Sequence, residues 1–203
     1  TLDEALQLAQ YDDEVTVILV ADISDGADVI MARPEIQSVS DLAGKRVAAE
    51  GTALGAFVIA RALEQYQVDP KTVDVVSFTV DESLDAFENK QVDAVVTFEP
   101  FRTKLLNAGA IEIFNSRQIP NEIVDVLVTR KSTIEKRKAS LRDFVKGWLA
   151  AIELIKTSPE KTNPIIARRL EITLAEAKLA YEGLQLPSLA ANQSLLTGQD
   201  ATL

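Results

Sequence analysis

The feature that most constrains this fold is a repeated change of period. Between Val15 and Arg130, short β-branched runs alternate with stretches whose apolar residues recur every three or four positions. The runs 15–20, 29–31, 46–49, 73–78, 94–97, 111–114 and 123–128 have strand length and are rich in Val and Ile, so they predict strands. The intervening periodicity predicts helices over 54–65, 82–89 and 101–107. A strand-helix-strand order of this kind favours a doubly wound, mostly parallel sheet over a sandwich, which makes the chain an α/β protein.

After Arg130 the strand pattern stops and helical spacing takes over. Leu141, Phe144, Val145, Trp148, Leu149, Ile152 and Ile155 share one face, with Ser140 and Asp143 as a possible capping box at the start. Thr157-Ser-Pro-Glu predicts a break, Asn163-Pro164 the opening of a second helix, and Thr173-Leu-Ala-Glu176 the cap of a third. The chain opens on a helix pattern at Leu2, Ala5, Leu6 and Ala9 with no strand before it, so its lobe is expected to lack opening units.

Composition narrows the function classes. Acidic residues number 31 against 21 basic, a formal charge of -10, and such a field repels nucleic acid. No run approaches the ~20 apolar residues a membrane span needs, so no membrane insertion is expected. Thr1 begins no basic and apolar leader pattern, so a secretory signal is expected to be either removed or absent. Cysteine and histidine are both missing, which excludes thiol catalysis and a histidine triad, and no cofactor or metal is expected.

Three segments, in order, resemble the periplasmic substrate-binding proteins of ABC transporters, in the group of nitrate, sulfonate, taurine and pyrimidine-precursor binders. They are Asp22-Ile-Ser-Asp-Gly-Ala-Asp28-Val-Ile-Met-Ala-Arg-Pro-Glu35, Ser40-Asp-Leu-Ala-Gly-Lys-Arg-Val47 and Val92-Asp-Ala-Val-Val-Thr-Phe-Glu-Pro100. The resemblance implies a periplasmic-binding-protein-like fold of two lobes, 1–24 with 127–203 and 25–126, joined by crossing segments near 22–27 and 116–128, with ligand held in the cleft between them. It also implies that the first third of the family's chain lies outside this sequence.

The residues of these segments set the candidate site. Ser24, Asp25 and Gly26 follow an apolar strand; they read equally as an Asx-type turn and as a cleft edge, and the resemblance favours the cleft. Ser40 or Asp41, Leu42 and Gly44 read as one capped helical turn with a structural role. Gly51, Thr52 and Ala53 lie between a strand and a helix, where unpaired N–H groups cradle an anion or carbonyl, although Thr52 also suits a plain N-cap. Phe98 offers an apolar wall and Glu99 an acceptor for ligand N–H groups; the alternatives are core packing and a helix-start carboxylate. Asp125 interrupts an apolar strand, either lining a wet cleft or alternating onto an exposed face. The basic run at Arg130-Lys131 and Lys136-Arg137-Lys138 reads as a solvated face.

The function expected is reversible capture, without chemistry, of a small organic molecule or small anion and its delivery to the membrane permease of an ABC importer. The turn at Gly51 suits an anion, whereas Asp25, Glu99 and Asp125 suit a nitrogen-rich or cationic molecule, and the balance leans to a neutral or amine-bearing one. Expected with this are a monomer and a periplasmic or extracytoplasmic location. The rivals are a sensory ligand-binding module and, on the same fold, an enzyme of the pyrimidine-precursor or menaquinone-pathway type.

Overall fold

The computed structural model describes residues 1–51 and 53–197. In chain order its elements are α1 (Leu2–Ala9), β1 (Val15–Ser24), β2 (Val29–Ala32), β3 (Arg46–Ala49), α2 (Ala53–Gln65), β4 (Asp74–Ser77), α3 (Val80–Glu88), β5 (Ala94–Thr97), α4 (Phe101–Asn107), β6 (Ile111–Asn115), β7 (Val124–Arg130), α5 (Lys131–Thr157), α6 (Pro159–Leu170), α7 (Leu174–Leu179), β8 (Leu184–Gln185) and α8 (Leu189–Thr197). The chain divides into two compact units. Unit 1 comprises Thr1–Ile23, Ile123–Ala177 and Leu184–Leu203, and unit 2 comprises Ser24–Glu122 with Lys178–Gly183.

Unit 2 is the α/β body that the alternation predicts. Its five-stranded sheet has the order β4-β3-β5-β2-β6. β3 runs parallel to β4 and to β5, while β2 runs antiparallel to both of its neighbours, β5 and β6. Every strand but β2 therefore points the same way. The four residues of β2 and the four of β5 are all buried, which accounts for their unbroken apolar sequence: both faces of these central strands are covered. Val29, Met31, Ala48 and Val95 pack with Ala86 and Phe87 of α3 and Leu105 of α4 on one face. By alternation Ile30, Val47, Ala49 and Val96 point to the other face. The buried Val58, Ile59, Ala62 and Leu63 of α2 are absent from the first cluster and supply that second layer.

Unit 1 is built differently. β1 pairs antiparallel with β7, from Val15 opposite Arg130 to Ile23 opposite Val124, and the two-residue β8 lies on its other side. The second side of β1 is extended by a side chain: buried Asn192 of α8 accepts from the Val20 N–H at 2.7 Å and donates to the Val20 carbonyl at 3.2 Å. One amide thus satisfies both backbone groups of a buried strand residue, as a neighbouring strand would.

Several local expectations are corrected. The turn before β3 is capped by Ser38, whose N–H and hydroxyl both donate to Asp41, rather than by Ser40 or Asp41 as first residue. α5 (Lys131–Thr157) is two helical segments joined across a kink at Arg137, whose φ of −129° and ψ of 22° are not helical, so the second segment begins just before the expected cap at Ser140. Ile134, before the kink, lines the same apolar groove as Leu141, Val145 and Leu149 after it. Pro159 already occupies the first turn of α6, which leaves Pro164 inside that helix instead of opening it. The expected cap at Thr173 is present: its hydroxyl and N–H both donate to Glu176, 2.7 Å each. Strand structure also returns after Arg130, as β8.

Candidate functional site

The strand order of unit 2 creates one natural crevice. After β3 the chain turns to α2 on one face, and after β5 it turns to α4 on the opposite face, so the connections part company between two adjacent parallel strands. Open α/β sheets bind ligands at such a switch point, beyond the carboxyl ends of the strands. A shallow recess with a cavity volume of about 20 Å³ lies there, lined by Asp28, Glu50, Leu54, Gly55, Val80, Val96, Thr97 and Phe98.

Most of the lining comes from element termini. Thr97 is the last residue of β5, Glu50 follows the last residue of β3, and Val80 opens α3. Asp28 reaches the same edge because β2 is reversed: Val29 stands opposite Thr97, so the start of β2 meets the end of β5. Gly55 permits a close approach, since a Cβ there would stand 2.6 Å from the Glu50 carbonyl oxygen. Asp28 is 8% exposed and Phe98 38%, so the recess grades from a buried carboxylate to an aromatic ring at the solvent edge.

The electrostatics are mixed. The N-termini of α2 and α3 face the recess with roughly half a positive charge each. At α3 the capping box already engages the first turn, with Thr79 and Glu82 satisfying one another; the Thr79 N–H and hydroxyl hold the Glu82 carboxyl below the usual carboxylate range. Against these partial charges stand the carboxylates of Asp28 and Glu50.

Of the expected site residues, Phe98 lines this recess and Gly51 follows Glu50 at its rim. Gly51 faces Ser77, whose hydroxyl would lie 2.8 Å from a Cβ. Ala53 is the first residue of α2, and Thr52 lies outside the described residues. Ser24, Asp25 and Gly26 do not line the recess; they lie two to four residues before Asp28, with Ser24 buried against Ser116. Glu99 is committed to the start of α4. Its side chain is 7% exposed and accepts from the Thr103 N–H at 3.2 Å and from Arg102 at 3.3 Å. Burial works against the Arg102 charge, but Glu112 and Glu99 outweigh it and hold its guanidinium above its ordinary value. Asp125 sits in unit 1, half exposed on β7 opposite Asp22.

Sequence reasoning did not pick out Asp28, Val80 or Val96, whereas Glu50, Leu54 and Gly55 belong to the turn around Gly51 and Thr97 to the strand end before Phe98, both of which it had marked. The signal available was position: Thr97 ends a strand, Glu50 follows one and Asp28 precedes one, all at one sheet edge. Asp28 needed the reversed direction of β2, which strand spacing does not give. Among the described residues, no group of acidic side chains gathers to hold a metal ion, and no helix is long and apolar enough to cross a membrane.

Comparison with known proteins places the chain. The family model described as NMT1/THI5 like matches residues 5–162, most of the sequence. The chain belongs to the NMT1/THI5-like family. No curated protein matches its sequence. Among solved structures, the periplasmic aliphatic sulphonate binding protein SsuA from Escherichia coli superposes with a TM-score of 0.74 at 17% identity, over 88% of this chain and 60% of that one. The alkanesulfonate-binding protein SsuA from Xanthomonas axonopodis pv. citri, bound to MOPS, gives 0.71 at 15% identity over 88% and 64%. The desulfurization enzyme DSZB gives 0.69 at 15% identity over 96% and 77%. These likenesses establish a periplasmic-binding-protein-like α/β fold. The NMT1/THI5-like chain spans less than two thirds of the length of either SsuA protein.

Proposed function

We propose that this protein is the solute-binding component of an ABC importer, capturing a small amine- or N–H-bearing organic molecule outside the cytoplasm and delivering it to a membrane permease. The observation that carries the reading is the recess at the switch point between β3 and β5, whose lining combines apolar Leu54, Val80, Val96 and Phe98 with two acidic residues, Asp28 and Glu50. Ligand pockets of this make-up use apolar contact for affinity and a few polar groups for orientation. Closure of a second lobe over the bound molecule, as the sequence resemblance implies, is part of the proposal.

Binding proteins on this fold include two described as sulfonate binders, one bound to MOPS. We propose a different charge preference here, because Asp28 and Glu50 raise the cost of burying a sulfonate beside them. Isothermal titration with benzylamine, nicotinamide and MOPS tests this. The expected order is benzylamine above nicotinamide, with MOPS weakest; MOPS binding best would overturn the charge argument.

The enzyme reading draws on the desulfurization enzyme that shares the fold. Capture is favoured because the recess offers carboxylates and a threonine but no histidine or cysteine to pair with them as base and nucleophile. Recovery of a bound molecule chemically unchanged after prolonged incubation is expected, and a converted product would overturn the assignment.

A further inference from the structure

Three chain segments of unit 2 meet directly behind Asp28. Ser24 and Ser116 are both buried, at 2% and 1% exposure, and their hydroxyl oxygens lie 2.7 Å apart. Each also accepts a backbone N–H: Ser116 from Gly26 at 2.6 Å, and Ser24 from Asp28 at 3.2 Å. The Ser116 N–H in turn donates to the Asp28 carbonyl at 2.9 Å. Both backbone polar groups of Asp28 are therefore fixed by this pair of serines.

The third segment is Lys178–Gly183. The Gly183 carbonyl accepts from the Asp25 N–H at 2.6 Å. Gly183, at φ +87, approaches so closely that a Cβ would stand 2.6 Å from the Ala27 nitrogen and 2.7 Å from the Gly26 carbonyl carbon. Gly26, at φ +101, lies under the Arg117 guanidinium, 2.6 Å from where its own Cβ would be. The positive φ favours glycine at both positions, and at Gly183 the near neighbours are backbone that cannot move aside as a side chain can.

We infer that this clasp is a positioning device for ligand binding: Ser24 and Ser116 hold the Asp28 backbone so that its carboxylate stays in the strand-end recess, and the Gly183 approach keeps the loop from relaxing. The inference rests on the proposal that this recess is the ligand site. A carboxylate on a loop must be held to about half an ångström to orient a ligand, which needs its own backbone restrained. The serines meet that need at the one carboxylate that lies nine-tenths buried in the recess. Removing the Ser116 hydroxyl leaves the partly buried Gly26 N–H without this acceptor and the buried Ser24 hydroxyl with only the Asp28 N–H, so the loop regains alternatives.

The test compares wild type with Ser116→Ala, Ser24→Ala and the hydroxyl-retaining Ser116→Thr by NMR. In Ser116→Ala, amide exchange at Gly26 and Asp28 should accelerate about tenfold relative to Val29–Ala32, reporting local rather than global opening. The titration of the Asp28 carboxyl carbon should move as well, and Ser116→Thr should return both towards wild type. Benzylamine affinity should fall about fivefold in the alanine variant, or about 1 kcal/mol. Should Ser116→Ala not fold, Ser24→Ala provides the same readouts. Unchanged Asp28 exchange and titration, with only a lowered melting temperature, would overturn the clasp as a positioning device. Wild-type protein that takes up no benzylamine overturns the ligand proposal instead, and the NMR readouts still decide the clasp.

Discussion

Gly55→Ala sets two effects of opposite sign against each other at the rim of the recess. Gly55 lies in the first turn of α2, where alanine is favoured over glycine by about 1 kcal/mol of helix propensity. A Cβ there would stand 2.6 Å from the Glu50 carbonyl oxygen, 3.0 Å from the Glu50 nitrogen and 3.4 Å from the Ala49 Cβ. The first distance is well inside van der Waals contact, and the obstacle is backbone at the end of β3, which is buried between β4 and β5 and has little room to yield. Overpacking of this kind costs about 1–3 kcal/mol. The clash should win, leaving a net loss of about 1 kcal/mol in urea unfolding. Any relaxation displaces Glu50, so ligand affinity should fall with stability. A variant that is more stable than wild type by the full propensity gain would refute the close approach, and with it the geometry of the recess.

Other perturbations test separate parts of the structure. Asn192→Ala strips both partners from the buried Val20 backbone and should cost roughly 1–3 kcal/mol in chemical denaturation, whereas a surface polar residue would cost almost nothing. Thr173→Ala removes the reciprocal cap with Glu176 and should lower stability by about 1 kcal/mol, measured the same way. Arg61 grips Glu122 with two donors, Nε at 2.6 Å and an Nη at 2.9 Å, and holds its carboxyl below the usual carboxylate range. That stabilisation is therefore complete above the unfolded-state pKa and fades as pH falls through the lower folded value. Glu122→Gln should cost about 0.5 kcal/mol near neutrality and converge with wild type in acid; a gap independent of pH would contradict the pairing.

The α/β body was legible in the sequence because its central strands are covered on both faces. Strands such as Ala94–Thr97 leave no room for polar residues, so the apolar run itself marks them. Helix α2 announced itself by periodicity for the same reason, through Val58, Ile59, Ala62 and Leu63. The start signal at Ser140 fell three residues late: the helical segment it announces begins after the kink at Arg137, and a preceding segment from Lys131, with Ile134 in the same apolar groove, carried no signal of its own. β8 was hidden because two residues carry no period.

The site was half legible. In the proposed site, Phe98 and the Gly51 turn are where the rule that ligands gather at carboxyl ends of strands would put them. Asp28 stayed hidden because its place depends on β2 running against its neighbours, a fact of pairing rather than of composition. Glu99 looked like a ligand acceptor, but the Thr103 N–H and Arg102 offered it nearer partners within its own helix. Ser24 drew attention for the right segment and a different task, bonding Ser116 and the backbone of Asp28.

The most direct test of small-molecule capture at the β3–β5 switch point is amide chemical-shift mapping of the labelled protein during titration with benzylamine. Shifts concentrated at Asp28, Gly51, Gly55, Thr97 and Phe98, saturating together at one affinity, are the predicted result. Saturable shifts confined to unit 1, with those five amides unmoved, would contradict it.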